Sequence, residues 1–332
     1  MKIDPAILHA LSLDAAQTIV KSHGGSGFTS TAKISTTLKD GTEKHCFVKT
    51  GQGKDAEVMF RGECASLNAI HNSMPSLCPA SFAQGTLEDG SGAFLVTDFL
   101  DMTGSTGGTG EKGSGMSLAA KLAKLHTKPA PIPEGYSEPM FGFHVPTCCG
   151  DTEQPNDYNR SWADFYANNR LLAVLKKSER TNGKDTSLRA LVEKTARETV
   201  PRLIEDGHLN GGKAVTPVVV HGDLWSGNKG RGRIGGQGAV EDVVFDPSAC
   251  YAHSEYELGI MQMFGGFGGV FMKEYHQLCP KTEPVGEYED RVKLYELYHH
   301  LNHHAIFGVG YKSGAVSIMK ELHRKYGAKR EI

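Results

Sequence analysis

The chain has 332 residues, 39% of them hydrophobic and 22% charged, which suffices for one large domain or for two lobes with a sizeable core. The formal net charge of -2 gives no basic field for nucleic acid or an anionic membrane, and no apolar run is long enough to span a bilayer. Because the N-terminus lacks a signal-peptide pattern and the seven cysteines are scattered, we expect a cytoplasmic protein with free thiols and with neither a nucleic-acid nor a membrane partner.

The first hundred residues are predicted to be rich in strands. Residues 6–22 predict a short helix, which the glycine-rich stretch GGSGFTS at 24–30 ends. The alternating TAKISTTL and, after a KDGTEK turn, the stretch HCFVKT predict two strands. Residues 54–71 predict a helix with an apolar stripe, and GAFLVTDFL at 92–100 predicts a buried strand.

The remaining residues are predicted to be mostly helical. Residues 103–115 are glycine-rich and typical of a linker or exposed loop, and residues 135–155 predict an irregular loop. Helical patterns lie at 117–128, 161–177, 187–205, 254–264 and 289–306. We therefore expect an α+β fold with a small strand-rich lobe over 1–101 and a larger helical lobe over 102–332.

A polar cluster follows two of the predicted strands. The apolar strand VVV ends at Val220, and the loop HGDLWSGN after it contains Asp223 and Asn228. The next strand, within 231–247, ends near Asp246. If these two strands pair as neighbours, the three polar side chains converge at one edge. Asn228 and Asp246 then supply oxygen ligands for Mg²⁺, and Asp223 is left to accept a hydroxyl proton, so the cluster predicts phosphoryl transfer from ATP.

Phosphoryl transfer from ATP also requires residues that bind the nucleotide, and candidates lie earlier in the chain than this cluster. Lys49 ends an apolar strand and is suited to bind phosphate. Glu63 lies beside the apolar face of the next helix, where a carboxylate is costly unless it is paired, so Lys49 is its expected partner. The glycine loop supplies N–H groups for phosphates, and the backbone after the 92–100 strand is expected to contact adenine. The predicted nucleotide-binding residues are Gly24, Gly25, Ser26, Gly27, Phe28, Lys49, Glu63, Asp98, Phe99 and Leu100.

Together these residues follow the protein-kinase-like pattern HxDxxxxN with a later metal-binding Asp, in which His221 is interpreted as structural. The pattern predicts a bilobal protein-kinase-like fold. The loop has HGD in place of HRD, Asp246 begins DPS and not DFG, and APE is missing from the sequence. A site that is assembled without activation-loop phosphorylation, for a small or unusual acceptor, is therefore expected.

The sequence also resembles a known family. HGDLWSGN and the later FDPSACYAHSEYELGIMQMFGGF, together with FVKT, MFRGECASL, FGFHVPTCCG and SWADFYANNRL, are similar to motifs of the fructosamine/ketosamine-3-kinase family, in the aminoglycoside-phosphotransferase branch of the kinase fold. The resemblance extends over residues 24–308. It implies transfer of the ATP γ-phosphate, with Mg²⁺, to the 3-hydroxyl of a ketosamine on a glycated protein lysine. The phosphorylated adduct then decomposes and leaves free lysine.

The resemblance implies roles for further residues and leaves alternatives open. Trp225 is either a platform for the sugar or a core residue, and His253 and His303 either line the acceptor pocket or are structural. Gly27 stands where many members of the family have a cysteine, so a redox-linked dimer through the glycine loop is not expected. The histidines His299, His300, His303 and His304 have a spacing that zinc sites use, but no Cys or Glu is assigned to complete such a site, and zinc is not expected there.

Two rival functions remain at this stage. One is a kinase for another small acceptor, such as a sugar, choline or an aminoglycoside, and the other is a pseudokinase that only binds nucleotide. Retention of the base, the metal ligands and the lysine favours an enzyme. We expect ribulosamine to be preferred over fructosamine, while the sequence leaves the oligomeric state and the carrier proteins open.

Overall fold

The computed structural model describes residues 3–25, 29–38, 40–102 and 115–327. Within them, the chain divides by its contacts into two units, which are described separately below. None of the helices in these residues combines the length and the apolar character needed to cross a membrane.

The strands are numbered in chain order. They are β1 Thr18–Gly25, β2 Ser30–Thr37, β3 Glu43–Gln52, β4 Ser81–Thr86, β5 Gly92–Asp98, β6 Leu100–Asp101, β7 Thr147–Cys149, β8 Thr152–Gln154, β9 Val218–Val220, β10 Lys229–Ile234, β11 Glu241–Val244 and β12 Cys250–Ala252.

The α-helices are numbered in the same way. They are α1 Pro5–Leu11, α2 Gly53–Ser73, α3 Leu118–Thr127, α4 Trp162–Tyr166, α5 Ala173–Asn182, α6 Thr186–Lys194, α7 Val200–Ile204, α8 Leu258–Phe264, α9 Gly269–Leu278, α10 Tyr288–Phe307 and α11 Lys312–Tyr326. Short π-helical turns follow α4 at Ala167–Leu172 and α6 at Thr195–Thr199.

The first unit comprises Met1–Lys121 and Gly227–Pro247. Its centre is an antiparallel sheet with the strand order β1-β2-β3-β5-β4. The amphipathic α2 packs on β4 and β5 with a stripe that is fully buried at Phe60, Leu67 and Ile70. This packing holds α2, which carries Glu63, against the sheet that contains β3 and its Lys49.

A hairpin of β10 and β11 belongs to the same unit. Lys121, which is fully buried, joins it to the rest: its ammonium donates to the carbonyl oxygens of Ser76 and Asp242 at 2.7 and 2.9 Å and pairs with the Glu241 carboxylate at 2.9 Å. These contacts offset the cost of burying the charge. The units do not coincide with the expected lobes 1–101 and 102–332, and that lobe boundary stays a prediction.

The second unit comprises Leu122–Ser226 and Ser248–Ile332 and is mostly helical. The helix α10 packs against α5, α8 and α11. The core beside it is aromatic: the Trp162 ring nitrogen donates to the Tyr295 hydroxyl at 2.8 Å, and both side chains are fully buried. Such a core satisfies the polar tips of large side chains while their rings exclude water.

Two sequence predictions about elements are wrong in part. The helix expected over 6–22 ends at Leu11, where Ser12 takes a left-handed conformation (φ +52°), and the later part of the stretch is strand β1. The β-branched Thr18, Ile19 and Val20 favour a strand once β2 is available to pair with it. The region expected to be an irregular loop contains the hairpin β7–β8.

The strand before the catalytic-type loop also has an unexpected partner. The sequence analysis considered pairing between VVV and the strand before Asp246, but β9 pairs with β12, with Val219 opposite Tyr251. The strand β11 pairs instead with β10. A strand buried on both faces has no polar alternation that would reveal its partner.

Five further elements were missed by the sequence analysis: β4, β10, β12, α9 and α11. All of them except β12 contain a glycine inside or at their start, which lowers the local propensity for regular structure.

Candidate active site

Lys49 is the centre of a charged cluster in the first unit. Its ammonium lies 2.6 Å from the Glu63 carboxylate and 2.6 Å from the Asp246 carboxylate. The Lys49 and Glu63 side chains are 13% and 12% exposed, whereas Asp246 is 52% exposed and open to a ligand. Burial opposes the charge on Lys49, but the two carboxylates outweigh it and raise the pKa of the ammonium above its ordinary value. The expected pairing of Lys49 with Glu63 is thus observed.

Asn228 and Asp246 lie at the same end of the β10–β11 hairpin. The Phe245 N–H donates to the Asn228 carbonyl oxygen at 3.1 Å, directly beyond the pair Lys229 and Val244. Asp246 has a φ of +56°, a conformation that is uncommon for a residue with a Cβ and that occurs often at functional sites. A carboxylate and an amide oxygen at one hairpin end fit a hard cation such as Mg²⁺ by donor type.

A cavity of about 360 Å³ lies beside this cluster, within the first unit. Lys49, Glu63 and Asp246 line it on one side, and its other walls are largely apolar. These apolar lining residues are Phe47, Leu67, Phe99, Leu100, Met102 and Phe245. A largely apolar cavity with charged groups on one side suits a nucleotide base with its phosphates.

The predicted adenine contacts are partly used by the protein itself. The Asp98 N–H donates to the Ala80 carbonyl oxygen at 2.9 Å, and the Phe99 N–H donates to the His45 carbonyl oxygen at 3.3 Å. The Asp98 carbonyl oxygen already accepts from the Thr97 hydroxyl at 3.0 Å, and Leu100 and Asp101 form β6, which pairs with β10, so the adenine contacts stay a prediction. These pairings could not be read from the sequence, because they depend on which strands cross the 98–100 segment.

The glycine loop is only partly described. Gly24 and Gly25 end β1, opposite Thr31 and Ser30 of β2, and Gly24 has a φ of +111°. Ser26, Gly27 and Phe28 lie outside the described residues, as do residues 103–114 of the glycine-rich stretch. The described residues show that the glycine stretch begins at the end of a strand, where the sequence analysis expected the end of a helix, and the phosphate-binding role of the stretch stays a prediction.

The loop after β9 belongs to the second unit up to Ser226 and has a conformation that only glycine permits at Gly222. This residue has a φ of +80°, and a Cβ on it would lie 2.2 Å from the Ser248 carbonyl oxygen. The Ser248 N–H donates to the His221 carbonyl oxygen at 2.9 Å, so the two segments approach closely. This contact explains why the sequence has HGD and not HRD here.

Glu257, which has no role in the sequence analysis, fixes this loop. It is fully buried, and its carboxylate accepts from the backbone N–H groups of His221 and Gly222, the latter at 3.0 Å. Burial opposes ionisation, but the contact with His126 and the hydrogen bonds hold the pKa of Glu257 below its ordinary value. A buried acid in the motif YEL was the available signal, since such an acid is costly without partners.

Asp223 lies at the turn that follows. Its N–H donates to His221 Nδ1 at 3.3 Å, which supports the structural interpretation of His221. The thiol of Cys149 approaches Asp223 Oδ1 at 3.6 Å, a sulfur hydrogen bond from a residue 74 positions away. Burial, together with the charge of Asp223, raises the pKa of this thiol well above its ordinary value, so it stays a donor.

Trp225 is 38% exposed and stands at one end of an aromatic row. Its ring lies 5.6 Å from the ring of Phe264, and Phe264 lies 5.1 Å from the ring of His303. The partial exposure of Trp225 and Phe264 leaves apolar faces available to a ligand. The row unites Trp225 and His303, two residues expected near the acceptor.

His253, the other expected acceptor residue, is fully enclosed. Its Nδ1 bonds with the Tyr295 hydroxyl and its Nε2 with the Thr282 hydroxyl, each at 2.8 Å. Burial lowers the pKa of His253 to about 4, so the ring is neutral. With both nitrogens engaged, this geometry favours the structural alternative for His253.

The chain is similar to proteins of one family. The family model described as fructosamine kinase matches residues 12–325. A Mus musculus protein named ketosamine-3-kinase is 33% identical over 83% of this chain and 87% of its own length. An Oryza sativa subsp. indica protein named protein-ribulosamine 3-kinase, chloroplastic, is 36% identical over 84% of this chain and 72% of its own length.

Solved structures agree on the fold. A Thermobifida fusca protein, described as a candidate fructosamine-3-kinase, superposes with a TM-score of 0.70 at 22% identity over 97% of this chain and 99% of that chain. The GDP and kanamycin complex of APH(2")-IIia superposes with a TM-score of 0.50 at 13% identity over 96% of this chain and 97% of that chain. The predicted α+β, protein-kinase-like fold class is thereby confirmed.

Proposed function

Because the chain belongs to the fructosamine kinase family, we propose that it transfers the γ-phosphate of ATP to the 3-hydroxyl of a ketosamine on a lysine side chain. The observation that carries this proposal is the Lys49, Glu63 and Asp246 cluster at the charged side of the cavity. Retention of Asp223, the residue that would accept the hydroxyl proton, alongside this cluster favours an enzyme over a pseudokinase that only binds nucleotide. The named relatives favour a ketosamine over the choline and aminoglycoside acceptors, which are the main rivals.

In this proposal the first unit binds the nucleotide. Lys49 donates to phosphate oxygens, and Glu63 holds its ammonium in place. Asp246 and Asn228 would hold Mg²⁺, which when bound neutralises charge on the transferring phosphoryl group. Phe47 and Phe99 lie on the walls that would enclose the base.

The second unit supplies the base and the acceptor surface. Asp223 would accept the proton of the attacking 3-hydroxyl, with its turn fixed by Glu257 through the loop backbone. The aromatic row of Trp225, Phe264 and His303 offers apolar faces for the C–H side of the sugar. Glycated proteins are the proposed carriers, since an acceptor on a protein surface needs an open site and Trp225 is partly exposed.

Steady-state phosphorylation of ribuloselysine, fructoselysine, kanamycin and choline tests the acceptor. We expect turnover of ribuloselysine with a kcat/KM at least equal to that for fructoselysine. A ratio favouring fructoselysine by more than about tenfold, or 1.4 kcal/mol, would contradict the ribulosamine preference. Turnover of kanamycin or choline alone would contradict the ketosamine assignment. Release of unmodified lysine from a ribosylated protein tests the protein carrier.

The Mg²⁺ site is tested by Asp246→Ala, with Asp89→Ala in an exposed turn as the matched control. Thermal stabilisation by ATP is measured with and without Mg²⁺. The control should keep a stabilisation that needs both, and Asp246→Ala should lose the Mg²⁺-dependent part. An unchanged Mg²⁺ titration in Asp246→Ala would assign the metal to other residues.

A further inference from the structure

A cluster of metal-ligating side chains lies in the second unit. Cys149, Asp223 and His299 each offer one ligand atom, and these atoms all lie within 4.8 Å of one another. In a tetrahedral zinc site, bonds of 2.0–2.3 Å put neighbouring ligand atoms about 3.5 Å apart. The Cys149 sulfur already lies 3.6 Å from Asp223 Oδ1, so closure around an ion needs shifts of only about 1 Å at the other atoms.

The polar atoms around this cluster are not all satisfied. Within the described residues, His299 Nδ1 and Asn302 Oδ1 are buried and have no hydrogen-bond partner. Asn302 is tied to the cluster, because its side-chain nitrogen donates to the Cys149 carbonyl oxygen at 3.1 Å. A buried polar atom without a partner is rare, and a ligand at the site is one explanation for it.

The protonation state of the histidine also suits a metal. His299 is 1% exposed and stacks on the ring of Tyr256 at 6.1 Å. Burial, with the charges of His303 and His300, lowers the pKa of His299 well below its ordinary value. The ring is therefore neutral near pH 7, and a neutral imidazole has the lone pair that a metal needs.

We propose that Cys149, Asp223 and His299 form a binding site for a thiophilic divalent cation, with Zn²⁺ as the best fit. One thiolate, one imidazole and one carboxylate are ligands that zinc accepts, whereas Mg²⁺ requires oxygen ligands. The Cys149 thiol loses its proton to solvent when the sulfur–zinc bond forms, and no oxidant or reductant is involved. Water from solvent completes the coordination, and the partly exposed Asp223 is the side from which the ion enters.

The site has a consequence for the kinase reaction. A cation bound to the Asp223 carboxylate withdraws charge from it and makes it a weaker base for the hydroxyl proton, so zinc inhibits phosphoryl transfer. This consequence rests on the proposed function, but the binding of the ion does not. Experiments can therefore contradict the metal site and the proposed function independently of each other.

Co²⁺, which replaces Zn²⁺ in such sites, gives the first readout. The protein is treated with a chelator, titrated with Co²⁺, and monitored by absorption for the sulfur-to-cobalt charge-transfer band. We expect the band in the wild type and in the matched control Cys148→Ser, and its loss in Cys149→Ser. His299→Gln keeps the thiol and should weaken Co²⁺ binding by about tenfold or more, judged by typical losses at metal sites. This second variant keeps the test valid if Cys149→Ser does not fold.

Zinc inhibition gives the second readout. At saturating ATP and Mg²⁺, the Zn²⁺ concentration for half-inhibition should rise at least about tenfold in Cys149→Ser relative to Cys148→Ser, and a chelator should restore activity. Inhibition that excess Mg²⁺ relieves and that is equal in both variants would assign zinc to Asn228 and Asp246 and overturn the proposal. The absence of a charge-transfer band in the wild type would also overturn it. A cobalt band in a protein that phosphorylates none of the acceptors would support the metal site and contradict the proposed function.

Discussion

The two units satisfy their polar sites in different ways. In the first unit opposite charges pair directly, because the Lys49 ammonium lies 2.6 Å from each of two carboxylates. In the second unit a buried carboxylate, that of Glu257, accepts from the backbone N–H groups of His221 and Gly222. One site is held by ion pairs between side chains, and the other by hydrogen bonds to a loop backbone.

This difference predicts separate functional effects. In the proposed function, phosphate would compete with Glu63 and Asp246 for the ammonium of Lys49, so nucleotide binding would reorganise the ion-paired cluster. A loop held through its backbone keeps Asp223 in place whether or not nucleotide is bound. Substitutions in the cluster should therefore alter nucleotide binding, and substitutions of the base should alter turnover.

The largest effect is expected for Asp223→Asn. Asparagine keeps the size and the turn but cannot accept the hydroxyl proton as a base. We expect kcat on ribuloselysine to fall by about two to four decades, or 3–5 kcal/mol, with nucleotide affinity nearly unchanged. Steady-state kinetics and nucleotide-dependent thermal shift measure the two quantities.

Asp151→Asn is the matched control for this substitution, because Asp151 lies in the same unit and pairs only loosely with Lys177, at 3.4 Å. It should keep the turnover of the wild type. Turnover of Asp223→Asn at the same rate as the control would remove Asp223 from the base role. Equal losses of kcat and of nucleotide affinity would show that turnover and nucleotide binding do not depend on separate sets of residues.

The next effect is expected for Lys49→Met. Methionine fills a similar volume, but it leaves the Glu63 and Asp246 carboxylates facing the phosphates without a cation. We expect nucleotide affinity to fall by roughly thirtyfold, or about 2 kcal/mol, as is usual when one member of a buried charge pair is truncated. Isothermal titration with ADP measures this affinity.

The control is Lys44→Met on the same strand, where the ammonium covers the ring of Phe82 at 3.9 Å and does not line the cavity. It should bind ADP as the wild type does. If both variants bind equally well, the phosphates lie elsewhere in the first unit.

The sequence predicted the nucleotide-side cluster better than the catalytic-type loop, for a physical reason. Lys49 and Glu63 are 14 positions apart on a strand and the next helix, and the cost of an unpaired buried carboxylate was enough to pair them. The hydrogen bonds from Cys149 to Asp223 and from the His221 N–H to Glu257 join residues 74 and 36 positions apart. Contacts at that range depend on how strands and helices cross, which local periodicity does not encode.

The metal-ligating residues of the second unit also show that contacts between distant segments cannot be read from local sequence spacing. The histidines of α10 suggested a metal site from their spacing, and the lack of an assigned Cys or Glu to complete the site argued against it. Folding brings Cys149 to His299 from the hairpin β7–β8. A ligand set assembled from three distant segments leaves no linear motif.

A smaller effect is expected for Glu257→Gln. Glutamine keeps the shape of the side chain, but its amide nitrogen would face one of the two backbone N–H groups from which the carboxylate now accepts hydrogen bonds. We expect the free energy of unfolding to fall by about 1.5 kcal/mol, the lower range for hydrogen bonds to a charged group, and kcat to fall as the loop loosens. Denaturant unfolding and kinetics check this result. Glu289→Gln, at an exposed carboxylate (80% exposed), should change neither quantity.

The smallest effect concerns acid stability in the second unit. Burial lowers the pKa of His253 to about 4, whereas the unfolded chain has the ordinary value near 6.5. Between these values the unfolded state binds more protons, so stability falls as pH falls from 6.5 towards 4 and is fully present above 6.5. For His253 alone, the loss of unfolding free energy between pH 7.5 and 5.5 is about 1.3 kcal/mol. His253→Gln removes the titrating group while offering polar atoms to Tyr295 and Thr282, so its unfolding free energy should change less over this pH range than that of the wild type.

The matched control, His9→Gln at an exposed residue of the first unit, should keep the wild-type pH dependence. Equal slopes for His253→Gln and the control in denaturant titrations at both pH values would show that a buried, neutral His253 does not contribute to the acid sensitivity of the second unit.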